Sequence, residues 1–104
     1  MNTSTNTAKE YAVLVRNNLG ARVKKIILFG SQARGEASPG SDYDFVVVVD
    51  NRTREIREKI IDVGIEMMDR HDQLFAALVY SEDEWRKTQQ FPLGWNVNAE
   101  GIAL

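Results

Sequence analysis

A small mixed α/β sheet with helices packed on one face is the fold this sequence predicts. Three observations predict it. Two runs, Val23 to Phe29 and Tyr43 to Val49, are dominated by β-branched and aromatic residues, the composition of strands. Two longer stretches repeat apolar residues at spacings of three and four, the period of a helix with one buried face. The patterns follow one another as helix, strand, strand, helix, strand, helix, which gathers the strands into one sheet and leaves the helices to cover it.

Each element has a local reason. Residues 1–6 (MNTSTN) carry no periodicity and are expected to fray. From Ala8 the apolar positions Ala8, Tyr11, Ala12, Val15 and Leu19 form one helical face, with an N-cap among Ser4 to Thr7 and Gly20 as the stop. Val23–Phe29 (VKKIILF) reads as a strand buried towards its C-terminal end, broken by Gly30-Ser31. Gln32 to Gly35 suits a single helical turn, and Ala37 to Asp42 (ASPGSD) is a turn cluster. Tyr43–Val49 (YDFVVVV) is the clearest strand, closed by Asp50-Asn51.

Thr53 to Arg70 sets Ile56, Ile60, Val63 and Met67 on one face of a second helix, with Ile61, Ile65 and Met68 beside them. Gly64 inside that helix costs roughly 1 kcal/mol relative to Ala and so marks close packing. Leu74 to Tyr80 (LFAALVY) reads as a third strand, and Ser81 with Glu84 has the form of a capping box opening a short helix to about Gln89. Phe91 to Leu104 is a tail with several apolar residues and room for a turn of helix around residues 96–100.

Composition narrows the function. At 104 residues the chain is expected to be one domain, too short for a catalytic domain plus a separate substrate domain. If it is an enzyme, another molecule must supply part of the substrate surface. Thirteen Lys+Arg against fifteen Asp+Glu leave a net charge of -2, without the basic excess of a nucleic-acid-coating protein. No cysteine is present, which excludes disulfides and thiolate chemistry, and a single histidine, His71, excludes a multi-histidine zinc centre. The longest apolar run, Leu74 to Tyr80, cannot span a bilayer as a helix, and no apolar leader opens the chain. No membrane association and a cytoplasmic location are expected.

The chemistry sits between Ile26 and Val49 (IILFGSQARGEASPGSDYDFVVVV). Gly30 lets backbone approach a ligand closely, and Ser31 offers a hydroxyl and an N–H at the start of a helical turn, where anions are favoured. Asp42 and Asp44, two apart on a strand, project to one face. Two carboxylates at one place repel, which raises the pKa of one of them, and a divalent cation removes that penalty. Carboxylates together with substrate phosphates suit Mg²⁺.

Gly30-Ser31, ten residues, then Asp42-Tyr43-Asp44 resembles the pattern of the DNA polymerase beta-type nucleotidyltransferase superfamily. The local form Gly-Ser-x-Ala-Arg-Gly and the tail NVNAEGIAL are similar to the minimal nucleotidyltransferases of prokaryotes, often encoded beside a small all-helical HEPN-type protein. The resemblance implies the nucleotidyltransferase fold and transfer of a nucleoside monophosphate from ATP, or another NTP, to a hydroxyl. It also implies a HEPN-type protein as acceptor, in a toxin–antitoxin arrangement. On this reading Gly30 and Ser31 hold phosphates, while Asp42 and Asp44 hold Mg²⁺. Arg34 has two readings, a phosphate contact or a solvated arginine paired with Glu36.

Active relatives carry a third acid on the strand beside Asp-x-Asp, where two metal ions activate the attacking group. Here that strand has alanines in its middle, Ala76 and Ala77. Asp72 is the nearest preceding acid and the candidate third catalytic carboxylate, although four residues, roughly 13 Å of strand, separate it from Ala76. Without a third acid the alternative is a nucleotide-binding module that docks on its partner without fast transfer. His71 reads as a turn histidine before it reads as a general base. Trp85, Phe91 and Trp95 read as packing over the sheet before they read as base-stacking or partner surface.

Overall fold

The computed structural model describes residues 3–36, 38 and 40–104. The chain runs α1 (Thr3–Leu19), β1 (Val23–Phe29), α2 (Ser31–Arg34), β2 (Tyr43–Val49), α3 (Arg54–His71), β3 (Phe75–Ser81), α4 (Glu82–Thr88), α5 (Pro92–Glu100) and β4 (Ile102–Ala103). The sheet order is β3-β2-β1-β4. β1 is antiparallel to both β2 and β4, and β2 is parallel to β3. The sheet is therefore mixed, as expected.

Alternation along β2 divides its residues between two layers. Tyr43, Phe45, Val47 and Val49 join Tyr11, Val15, Ile56, Ile60 and Met67 in the larger core, so α1 and α3 cover one face. The Tyr11 ring stacks on Phe45 at 3.9 Å, and Tyr43 stacks on Phe75 at 4.7 Å. Val46 and Val48 point the other way and pack with Ile27, Trp85 and Val97 in a smaller core. The one-faced helical layer thus describes the two long helices. The second face carries α4 and α5, because an all-valine stretch is apolar on both sides and must be covered on both.

Local chemistry sets the ends of the elements. Thr53 caps α3 by accepting the Ile56 N–H at 3.2 Å, and Asp72 closes it in the left-handed region at φ 53°. The Ser81/Glu84 capping box is formed in both directions, at 2.9 and 3.2 Å. Gly64 marks close packing as expected, since a Cβ there would lie 3.0 Å from the Phe75 carbonyl oxygen of β3. A bulge between Val23 and Lys25 shifts the register of β1, which lets Val23 and Ile26 share the larger core.

Two expectations at the termini are corrected. The first helix begins at Thr3. Residues 3–6 are ordered because the Ser4 hydroxyl donates to Gln32 of α2 and Thr7 is buried; Met1 and Asn2 lie outside the described residues. The tail forms a nine-residue helix, with Pro92 in its first turn, and then a strand. The Leu104 N–H donates to Ile26 at 2.9 Å, and Ile27 pairs with Ala103. Ala37 and Pro39 of the expected turn cluster lie outside the described residues.

Candidate active site

The register assembles the site. Phe29, the last residue of β1, lies opposite Asp44 on β2. Gly30 follows at φ 79° and ψ −160°, a region that essentially only glycine enters. A Cβ on Gly30 would fall 2.7 Å from Asp44 Oδ2. The glycine thus supplies both the turn that aims α2 and the space the carboxylate occupies. Ser31 opens α2, in which the Ala33 and Arg34 N–H groups donate to the Gly30 carbonyl at 3.1 and 3.2 Å.

Asp44 is half-buried on the face shared with Val46 and Val48, and alternation puts exposed Asp42 on the same face. Burial first, and the Asp42 charge second, push the Asp44 carboxyl above its ordinary value. A group raised by a like charge and by lost solvation is what a bound cation would relieve. The donor set, two carboxylates on one face, fits a hard divalent ion.

The residue after the loop is held from several sides. Gln32 Nε2 donates to the Ser41 carbonyl at 3.0 Å, and Gln73 Nε2 donates to the same oxygen at 3.2 Å. The Ser41 N–H donates to Ser38 at 3.0 Å, and the Ser38 N–H donates to Ser41 Oγ at 3.0 Å. Sequence reading passed over Gln32 and Gln73. The signal available was a glutamine inside the Gly30–Gly35 motif, and only topology shows that it meets Gln73.

The remaining sequence candidates separate. The position beside Asp44 on β3 is Ala76. Asp72 sits in the C-cap of α3, and among the described residues no three acidic, histidine or cysteine side chains are placed to hold one metal ion. Asp72 is therefore not gathered with the pair as a third ligand; the αL turn that ends α3 claims it. Arg34 ion-pairs with Glu36 at 3.0 Å and Glu100 at 2.9 Å, so the pairing with Glu36 is made and extended to the tail. His71 Nε2 lies 2.9 Å from Glu10 Oε1, joining α3 to α1. Trp85 is buried against the sheet, with its ring 5.5 Å from that of Tyr80, whereas Phe91 and Trp95 remain 61% and 58% exposed.

Comparisons with known proteins give the family and the fold. A family model described as a nucleotidyltransferase domain matches residues 10–91. A Methanocaldococcus jannaschii protein, provisionally named a protein adenylyltransferase, is 32% identical over 92% of this chain and 92% of its own length. A second protein of that organism, named in the same way, is 29% identical over 71% of this chain and 76% of its own. Among solved structures, a toxin–antitoxin crystal structure with AMP-PNP aligns at a TM-score of 0.65 with 17% identity, over 91% of this chain and 70% of the other. A structure of the tri-AMPylated Shewanella oneidensis HEPN toxin with MNT antitoxin aligns at 0.59 with 15% identity, over 97% and 71%. At these identities the likeness of the structures is one of fold.

Proposed function

The chain belongs to the nucleotidyltransferase domain family, and from that premise we propose that it transfers AMP from ATP to a hydroxyl on a helical HEPN-type partner protein, as an antitoxin. The observation that carries this reading is the closeness of Gly30 to Asp44, where a Cβ would lie 2.7 Å from Oδ2, so that the turn proposed to accept phosphate adjoins the carboxylate pair. Gly30 and Ser31 hold the outer phosphates. Asp42 and Asp44 would hold Mg²⁺, which would neutralise the charge that develops on the transferred phosphate. The acceptor oxygen bonds to the α-phosphorus as the bond to pyrophosphate breaks, and the hydroxyl proton leaves to solvent. What this chain contributes is position and electrostatics. Relatives named as protein adenylyltransferases support a protein acceptor, and the AMPylated toxin beside an antitoxin of this fold supports a HEPN-type one. The exposed Phe91 and Trp95 support docking on an apolar partner surface. No helix of the described residues is long and apolar enough to cross a membrane, and the reading puts the reaction in the cytoplasm, where ATP is held.

The test is co-expression with the helical protein encoded beside it, followed by size exclusion and intact mass. The expected result is co-elution, with the partner heavier by one or more AMP units when ATP and Mg²⁺ are supplied. Loss of the increment in Asp42→Asn and Asp44→Asn is also expected. A second reading, a nucleotide-binding module that docks without transfer, is favoured by Ala76 at the place beside Asp44. Co-elution with unchanged partner mass would establish it in place of the enzyme.

A further inference from the structure

We propose that Gln32 and Gln73 are positioning residues that keep Asp42 beside Asp44 by clamping the carbonyl of the preceding residue. The inference rests on the reading of Asp42 and Asp44 as a cation-holding pair. Asp42 is exposed, stands just before the first residue of β2, and faces a like charge. An unrestrained chain end in that position relieves the repulsion by swinging outward, and a binding ion would then have to pull it back. The structure blocks that motion at the Ser41 carbonyl, which receives both amides, one for each of its lone pairs. On the other side of Asp42, the Tyr43 N–H donates to the Leu74 carbonyl at 2.9 Å. The residue is thus held by both of its neighbours while its own carboxylate stays accessible.

The two clamps differ in origin, and that gives the arrangement its reach. Gln32 belongs to the turn that begins after Gly30. It is only 4% exposed, and its Oε1 accepts from the Ser4 hydroxyl of α1, so both ends of the amide are engaged. Gln73 comes from the turn between α3 and β3. Two separate parts of the fold therefore converge on one peptide oxygen adjoining the site, and α1 braces one of them through Ser4. A buried amide with both ends satisfied defines one geometry, because any displacement leaves a polar group unpaired.

The experiment is calorimetric titration of a non-hydrolysable ATP analogue into the full-length chain, with and without Mg²⁺. Wild type is compared with Asp42→Asn, Gln32→Met, Gln73→Ala and the double glutamine variant. The readout is the gain in affinity that Mg²⁺ confers. The expected result is a gain reduced about fivefold in each single glutamine variant and more than about tenfold in the double, with metal-free affinity unchanged. Should buried Gln32→Met fail to fold, Gln73→Ala, in a half-buried turn, carries the test. If the glutamine variants keep the full gain while Asp42→Asn loses it, the clamp is overturned and the carboxylate pair stands. If affinity falls equally with and without metal, the glutamines are merely structural and the proposal is overturned. If wild type and Asp42→Asn show no metal-dependent gain, the reading of the pair fails and takes the clamp with it.

Discussion

At the scale of single residues, Asp44 bears the cost of the site. Burial and the neighbouring Asp42 raise its pKa, so the folded chain holds the ionised carboxylate less readily than the unfolded chain does. Stability from this group is therefore greatest below its ordinary value of 3.8 and is lost as pH rises through the raised folded value. Asp44→Asn removes that loss. The expected outcome is a variant with a higher Tm than wild type at neutral pH in metal-free buffer, and no such advantage near pH 3. Its nucleotidyl transfer is expected to fall by more than about a hundredfold, since a direct ligand should matter more than the outer partners of a metal site. Thermal melts across pH, with an activity assay at one pH, check both halves. The pair was legible in sequence because period-two alternation needs no tertiary information. The clamp on Ser41 was not, since Gln73 lies thirty-two residues away from it in the chain.

At the scale of elements, the capping box at Ser81 shows why some boundaries read directly from sequence. Both of its bonds lie within four consecutive residues, and the Ser81 backbone N–H, the largest influence, holds the Glu84 carboxyl below its usual range. Ser81→Ala is expected to cost about 1 kcal/mol, measured by urea denaturation. Because Ser81 also ends β3, the loss should appear as a lower midpoint with an unchanged slope. The first helix and the tail read less well. Residues 3–6 have no periodicity of their own, and their order comes from Gln32 and from burial of Thr7. The tail has mixed signals because its residues serve different ends: Val97 fills the smaller core, Ile102 pairs with Leu28, and Phe91 and Trp95 face solvent.

At the scale of the whole molecule, a network of Glu10, Arg70 and His71 ties α1 to α3 across the top of the larger core. Arg70 Nη1 donates to Glu10 at 2.8 Å, and His71 contacts the other carboxylate oxygen at 2.9 Å. The Arg70 hydrogen bond, outweighing the opposing effect of burial and aided by His71, holds Glu10 below its ordinary value of 4.5. The sign is opposite to that of Asp44. Stability from Glu10 is complete above 4.5 and is lost as pH falls through the lowered folded value. Glu10→Gln is expected to lower stability at pH 7 by less than about 1 kcal/mol, as a partly exposed pair should. It is also expected to shift the acid unfolding midpoint to a shallower dependence on pH. Denaturant melts at pH 7 and pH 3 check this, and a difference that stays constant between them would contradict it.

By itself the sequence determined the element types, the strand-facing pattern of Tyr43–Val49, and the spacing that joins Gly30-Ser31 to Asp42 and Asp44. These depend on backbone period, side-chain shape and short-range caps, which act over a few residues. Tertiary structure alone decided that Ala76 rather than Asp72 stands beside Asp44, because parallel pairing of β2 and β3 fixes the register through the apolar residues of the larger core. It also decided that Arg34 pairs with Glu100 as well as Glu36, and that two glutamines from distant turns meet on one carbonyl. Such contacts join residues far apart in the chain, and only packing the helices against both faces of the sheet brings them within hydrogen-bonding distance.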